Sequence, residues 1–376
     1  MSKIKLCWKT QAGNEVANAL GYNTHNKAMK RWGAAHFDYN DDAPVALHIV
    51  PADQFVPVAG KKNVLFTMWE FMQIPTTYKA ALNMADAVIT PCRWCNNLFR
   101  ESTNKPIYTC FEGVDPSVYK FHKRSEPDYA KGERFRYLWV GAPNMRKGYP
   151  ALLAILKQFE DDPTVEVYFK TTAPRMTWAQ YFMAIWKMRG KILRGCVKAH
   201  EWTAIWRQLY RIPTPSLAGK VRRCGKHKNV VFDTRYLSQH ELVALYNSAH
   251  AFVLPSFGEG WGLTLSEAMA TGAPCISTRH TGISDFFDDS VGYVIGSNVM
   301  LHDLPHYQMK AQGYVPRPEE VAAHMHGVKA NYAEALQKGR LASERITKRF
   351  TWENSARRLA EIIREVHNGV DNDSRS

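Results

Sequence analysis

Short apolar runs alternate with helical stretches along most of the chain. In the first third, "KIKLCW", "VALHIV", "NVLFTMW", "DAVITP" and "IYTCF" are apolar runs of strand length. Between some of them, "NTHNKAMKRWG", "TTYKAALNMA" and "RWCNNLFRES" carry helical periodicity. Further on, "FRYLWVG" (135–141), "VEVYFKT", "NVVFDT", "HAFVLP" and "PCISTR" repeat the strand pattern, with "KGYPALLAILKQFED", "SQHELVALYNSA" and "LTLSEAMATG" as helices. Buried runs separated by helices predict α/β architecture, with parallel sheets covered on both faces. Two doubly wound units of unequal size follow. Their join lies near 120–134, where "YKFHKRSEPDYAKGERF" loses its apolar periodicity. No internal repeat is legible, and only the closing "GVDNDSRS" reads as disordered.

Length and composition agree with this pattern. A chain of 376 residues is long for one core, and 45% hydrophobic with 12% aromatic content describes a globular protein. No window reaches the roughly 18 uninterrupted apolar residues that span a bilayer, and Met1 leads into the first apolar run without a cleavable leader. A cytoplasmic protein is the expectation. The seven cysteines read as reduced, mostly buried thiols rather than a disulfide framework or a zinc site.

Charge changes the picture once it is divided along the chain. Residues 174–228 hold thirteen Lys and Arg against one acid, Glu201, and so carry twelve of the fourteen net positive charges. Trp178, Tyr181, Phe182, Ile185 and Ile192 recur at helical spacing with Lys187, Lys191 and Arg194 on another face. Trp202, Ile205, Trp206 and Leu209 form a second stripe beside Arg207 and Arg211. The following "GKVRRCGKHKN" (219–229) reads as an exposed polycationic loop. Its Lys220, Arg222, Arg223, Lys226 and Lys228 suit the phosphates of a nucleic acid. A competing reading places Trp178, Trp186, Trp202 and Trp206 in lipid headgroups at an anionic membrane surface. The plainest reading is a solvated basic face.

The chemistry concentrates in "PSFGEGWGLTLSEAMATGAP" (255–274), where a strand end passes through a glycine-rich turn into a helix. Ligands of open α/β sheets bind beyond the carboxyl ends of the strands. Helix-start amides near Leu263 and Thr264, approached closely because Gly260 and Gly262 lack side chains, suit a diphosphate. Glu259 falls just outside that nest, and Glu267, about one turn into the helix, can accept from a vicinal diol such as a ribose. Taken alone, Glu267 reads as a dipole partner of its helix before it reads as a ligand.

At this point the chain resembles the retaining glycosyltransferases with two Rossmann-like domains, the GT-B fold, and in particular glycosyltransferase family 4. The residues that carry the resemblance are "PSFGEGWGLTLSEAMATGAPCIST", "LWVGAPNMRKGYPALL", "LSQHELVALYNSAHAFVLPS", "TGISDF" and "FTWENSARRLAEII". "FTMWEFMQIPTTYKAALNMADAVITPCRWCNNLF" and "FEGVDP" look like that family's acceptor domain and its entry to the linker.

The resemblance implies an acceptor-side domain over 1–125 and a nucleotide-sugar domain over 126–349 that contains the basic helical insertion 174–228. It implies a C-terminal helix and tail over 350–376 returning towards the first domain. It implies that Glu259 holds hydroxyls of the donor sugar, that Glu267 holds the nucleotide ribose, and that the backbone from Gly260 through Trp261, Gly262 and Leu263 to Thr264 receives the diphosphate. Lys147 matches the lysine that pairs with departing phosphate charge. Ala142 stands where the family often has Arg, which leaves Arg146 or Lys170 to supply the second cation. Thr281 and Gly282 would touch the donor, beside His280 and Asp285. On the acceptor side, His25 and Asn23 in "GYNTHNKAM" and Glu70 in "TMWEF" are candidates. His25 reads equally as a cap or bystander, and Glu70 equally as a helix cap. Asp115 reads as shaping the linker turn.

No metal and no cofactor are expected, with a nucleoside-diphosphate sugar, UDP-sugar foremost, as donor. The acceptor expectation is a hydroxymethylated base in DNA, as in viral DNA modification, with a lipid-linked glycan at a membrane as the alternative. A nucleotide-sugar epimerase or a non-catalytic binding subunit is the reading from another class.

Overall fold

The computed structural model describes residues 3–9, 20–172, 219–224 and 228–369. The two amphipathic helices expected within 174–218, and Lys226, lie outside the described residues.

The first half is a six-stranded sheet. Its strands are β1 (Ile4–Lys9), β2 (Phe37–Tyr39), β3 (Val45–Ile49), β4 (Lys62–Phe66), β5 (Ala87–Thr90) and β6 (Ile107–Thr109). They run in the order β2-β1-β3-β4-β5-β6 with every neighbour parallel. Helices α1 (Leu20–Gly33), α2 (Thr76–Met84) and α3 (Arg93–Arg100) connect them. Every residue of β3 and β5 is buried, which is why these strands show no alternation in sequence. Leu65, Trp69, Tyr78, Leu82 and Phe99 fill one face. Leu6, Val45, Val64 and Phe66 face the other way.

The second half is a seven-stranded sheet of β7 (Phe135–Val140), β8 (Val165–Lys170), β9 (Val221–Cys224), β10 (Val230–Asp233), β11 (Ala251–Leu254), β12 (Cys275–Thr278) and β13 (Tyr293–Ile295). The order is β13-β12-β11-β7-β8-β10-β9, parallel at every described pairing except the edge strand β9. Its helices are α4 (Tyr149–Ile155), α5 (Gln239–Asn247), α6 (Leu263–Ala270), α7 (Pro318–Ala330) and α8 (Tyr332–Arg349). A capping box between Ser238 and Glu241 starts α5. Between β13 and α7 stands an antiparallel hairpin, β14 (Ser297–Leu304) with β15 (Met309–Pro316), which has no counterpart in the periodicity reading.

The final helix, α9 (Trp352–Asn368), leaves the second half. It packs Trp352, Ala356, Leu359, Ile362 and Ile363 against Leu6, Val64 and Phe66 of the first sheet. The two chain segments that connect the halves run side by side. Val114 N–H donates to the Phe350 carbonyl at 3.0 Å, and Trp352 N–H donates to the Val114 carbonyl at 3.1 Å. Arg124, buried in the first connector without an acidic partner among the described residues, donates to the carbonyls of His122, Tyr246, Ala249 and Thr271 and to the Thr271 hydroxyl. It thereby satisfies the orphan carbonyls where α5 and α6 end.

One sequence expectation changes here. Part of "GKVRRCGKHKN" is the edge strand β9 rather than an exposed loop. Arg223 pairs with buried Glu166 at 2.8 Å, and Arg222 lies over the Phe232 ring at 5.3 Å. Two adjacent arginines break the apolar alternation of a strand, and their partners come from β8 and β10. Cys92 and Cys95 stand at C-x-x-C spacing, and both are buried free thiols, in line with the sequence expectation. Cys92 Sγ caps α3, and Cys95 Sγ donates to the Trp69 carbonyl at 3.2 Å. Among the described residues no group of three or more His, Cys, Asp or Glu is placed to hold a metal, and no helix is long and apolar enough to cross a membrane.

Candidate active site

Three strand-end loops of the second half and one of the first converge. The loop between β7 and α4 and the loop between β11 and α6 meet closely because residue 148 is glycine. It adopts φ +70°, and a Cβ there would lie 1.7 Å from the Pro255 carbonyl oxygen. The two loops are tied further by Phe257 N–H, which donates to the Arg146 carbonyl at 2.7 Å, with the Ser256 hydroxyl oxygen 3.0 Å from the same carbonyl.

This contact assembles a buried charge cluster. The Glu259 carboxylate accepts from Lys147 Nζ at 2.8 Å, Arg146 at 3.2 Å and the Ser256 hydroxyl at 3.0 Å. Burial pushes its pKa upward, but Lys147 and Arg146 more than reverse this and hold the carboxyl below its ordinary value. Arg146 also donates to the Gly258 carbonyl at 2.8 Å and reaches across to Glu70 of the first half at 3.3 Å. Glu70 is no helix cap, since Pro75 precedes α2 and no side chain caps that helix.

The loop after β12 fastens the Glu259 backbone. The Thr281 hydroxyl accepts from Glu259 N–H at 2.9 Å, and Gly282 N–H donates to the Glu259 carbonyl at 2.9 Å. Thr281 pays for this with φ +51°, in the left-handed region a β-branched residue rarely enters. Beside it, His280 is buried, stacks on Tyr314 at 4.2 Å, and has its pKa pushed down to about 4 by burial. Asp285 accepts from Arg93 N–H of the first half at 2.8 Å.

At the start of α6, Gly262 adopts φ +108° and no side chain caps the helix. The Thr264 hydroxyl there is buried without a hydrogen-bond partner among the described residues. An uncapped helix start next to two cations is a ready anion site. Glu267 lies one turn on. Tyr119 donates to its Oε1 at 3.0 Å and Tyr246 to its Oε2 at 2.9 Å. Burial lifts this carboxyl to about 7, against the pull of the two hydroxyls.

Several predicted site residues lie elsewhere. Lys170 is buried and spends its ammonium on the carbonyls of Thr171, Asp233 and Arg235, at 3.1, 3.3 and 2.6 Å. The Trp261 ring is core, packed on Phe286 at 4.7 Å, Phe350 at 5.3 Å and Phe111 at 5.6 Å, leaving only its backbone at the turn. "GYNTHNKAM" is part of α1, where the periodicity of "NTHNKAMKRWG" predicts a helix. There His25 is fully buried, its Nδ1 2.9 Å from Glu112 and its ring against Phe66, while Asn23 is exposed on the helix. Asp115 accepts from Ser117 N–H at 2.9 Å within the connector turn. Ser256, Tyr119 and Tyr246 were not singled out in the sequence. Ser256, three positions before Glu259, was open to inspection, whereas the two tyrosines meet Glu267 only through the fold.

Residues 219–304 match the family described as Glycosyl transferases group 1. Among curated proteins, the O-antigen chain mannosyltransferase B of Escherichia coli is 26% identical over 125 residues, 31% of this chain and 33% of that protein. The D-inositol 3-phosphate glycosyltransferase of Saccharomonospora viridis is 28% identical over 136 residues, 35% of this chain and 27% of that protein. These matches thus span a third or less of either relative's length. Among solved structures, sucrose-phosphate synthase from Thermosynechococcus elongatus aligns with TM-score 0.61 at 18% identity over 96% of this chain and 83% of that one. HepE of Anabaena, solved with UDP and glucose, aligns with TM-score 0.61 at 12% identity over 96% and 100%. Residues 219–304 are thus similar to the group 1 glycosyltransferases, and the two largely parallel sheets share the GT-B fold of these solved structures.

Proposed function

We propose that this protein transfers a sugar from a nucleoside-diphosphate sugar to a hydroxyl acceptor with retention at the anomeric carbon. The observation that carries the reading is Glu259, buried between Lys147 and Arg146 beside the uncapped start of α6. In this reading the amides of Leu263 and Thr264 and the two cations take the diphosphate, and Glu259 exchanges part of its ion pairing for hydroxyls of the donor sugar. Glu267 takes the ribose diol, and Glu70 borders the acceptor. The bond from the anomeric carbon to the diphosphate oxygen breaks as the new bond to the acceptor oxygen forms on the same face. The acceptor proton passes to the departing diphosphate, whose charge Lys147 and Arg146 offset. No protein nucleophile is assigned.

UDP is the first nucleotide to test, since HepE was solved with it. Of the acceptor chemistries, the DNA reading loses part of its support, because Arg222 and Arg223 are engaged within the second sheet while Lys220 and Lys228 stay exposed. Hydroxymethylated DNA and lipid-linked glycans therefore stand as two arms of one experiment, in which UDP-, GDP- and ADP-sugars are offered with each and products are read by mass spectrometry and by the anomeric coupling constant. Transfer with retained configuration supports the proposal. An inverted product overturns its stereochemistry. Binding of nucleotide without transfer or donor hydrolysis would make the protein a binding subunit, and an epimerised donor would make it an epimerase.

A further inference from the structure

Glu267 is held by two side chains that belong neither to its own helix nor to its loop. Tyr119 comes from the connector between the halves, where its N–H donates to the Asp115 carbonyl at 2.9 Å. Tyr246 comes from α5, and its carbonyl is fixed by Arg124 at 2.9 Å. Both rings are buried and stand edge to face at 6.2 Å. Each hydroxyl takes a different carboxylate oxygen, at 3.0 and 2.9 Å. A carboxylate has about four lone-pair sites, so two remain for a ligand. A glutamate side chain otherwise samples many rotamers, and freezing it costs conformational entropy. Two anchored donors remove that cost from the binding step by fixing the carboxylate beforehand.

We propose that Tyr119 and Tyr246 are positioning residues that aim the Glu267 carboxylate at the ribose diol of the donor nucleotide. This rests on the glycosyltransferase reading. The two hydroxyls also favour the charged, acceptor-only form against the burial that lifts this carboxyl, and only that form accepts from both hydroxyls of a diol.

The test compares UDP with 2′,3′-dideoxy-UDP by calorimetry, for the wild-type chain and for Tyr119→Phe, Tyr246→Phe and Glu267→Gln, with GDP and ADP and their dideoxy forms as further probes. The phenylalanines keep the buried rings, and thermal melting checks that each variant folds. The wild type is expected to prefer UDP by about tenfold, roughly one charge-assisted hydrogen bond. Each Tyr→Phe change is expected to lower UDP affinity about threefold to tenfold and leave dideoxy-UDP unchanged, approaching the lost preference of Glu267→Gln. In turnover, donor KM should rise while kcat holds. Equal weakening of both nucleotides means a structural role and overturns the proposal, as does an unaltered preference. Should the wild type bind UDP without preferring the diol, the Glu267–ribose contact fails while the transferase reading stands. Should it bind none of the three nucleoside diphosphates, the transferase reading itself fails.

Discussion

Glu259 and Glu267 lie eight residues apart and meet opposite environments. Two cations hold Glu259 below its ordinary pKa, while Glu267 accepts from two neutral hydroxyls among the described residues and is lifted by burial from 4.5 to about 7. A carboxyl whose pKa rises on folding stabilises the fold fully below its unfolded value and loses that contribution as pH climbs through the folded one. The melting temperature of Glu267→Gln should therefore gain on that of wild type between pH 4.5 and pH 8. Calorimetric scans at both ends check this, and a constant difference would refute it. Lys147→Ala removes the shortest of the described bonds to Glu259, at 2.8 Å, and with it a cation for the leaving group. Its transfer rate should fall by about 10²–10³, the usual loss for a donor on developing negative charge. Arg146, Lys147 and Glu259 were legible because each sits in a glycine-marked strand-end loop. Lys170 occupies a similar strand-end position, yet its ammonium turns back onto main-chain carbonyls, a choice that residue spacing does not encode.

At the scale of elements, the strands and helices of both sheets were readable because burial on two faces leaves long apolar runs. The hairpin β14–β15 was not. Its Val299, Met300 and Leu301 are exposed, and its contacts lie far along the chain. The Gln312 carbonyl accepts from Met72 N–H at 2.9 Å, His306 meets Asp53 at 3.2 Å, and Tyr307 packs on Trp69 and Tyr78 of the first half at 5.1 and 5.9 Å. Through this hairpin the second half grips the apolar layer of the first. Tyr307→Ala should cost about 1–2 kcal/mol and speed hydrogen exchange in the hairpin and around residues 69–78 together. Faster exchange in the hairpin alone would mean that the grip adds nothing to the first half.

For the whole molecule, the two halves touch at the site itself. A Cβ on Gly258 would lie 2.6 Å from the Glu70 carbonyl oxygen, and one on Gly260 would lie 2.1 Å from the Met68 sulfur. Met68 ends in a flexible side chain that can move aside, whereas the Glu70 carbonyl is backbone. Gly258→Ala should therefore part the halves at the cleft and break the Arg146–Glu70 pair while leaving both sheets intact. The expected result is a loss of transfer with a nearly unchanged melting temperature and a small increase in radius of gyration by X-ray scattering. Retained transfer would show that the close approach is dispensable.

What the sequence determined by itself was local: strand and helix periodicity, the glycine-rich turn before α6, and the acids and cations clustered near strand ends. Those features depend on neighbours within a few residues, so one-dimensional spacing records them. The tertiary structure decided which groups meet. Tyr119 reaches Glu267 across 148 positions, and Lys147 reaches Glu259 across 112. Arg223 finds Glu166, and His25 turns inward between Phe66 and Trp352. Hydrogen bonds and ion pairs of this kind are set by how the sheets stack and where the connectors cross, and spacing along the chain carries no record of either.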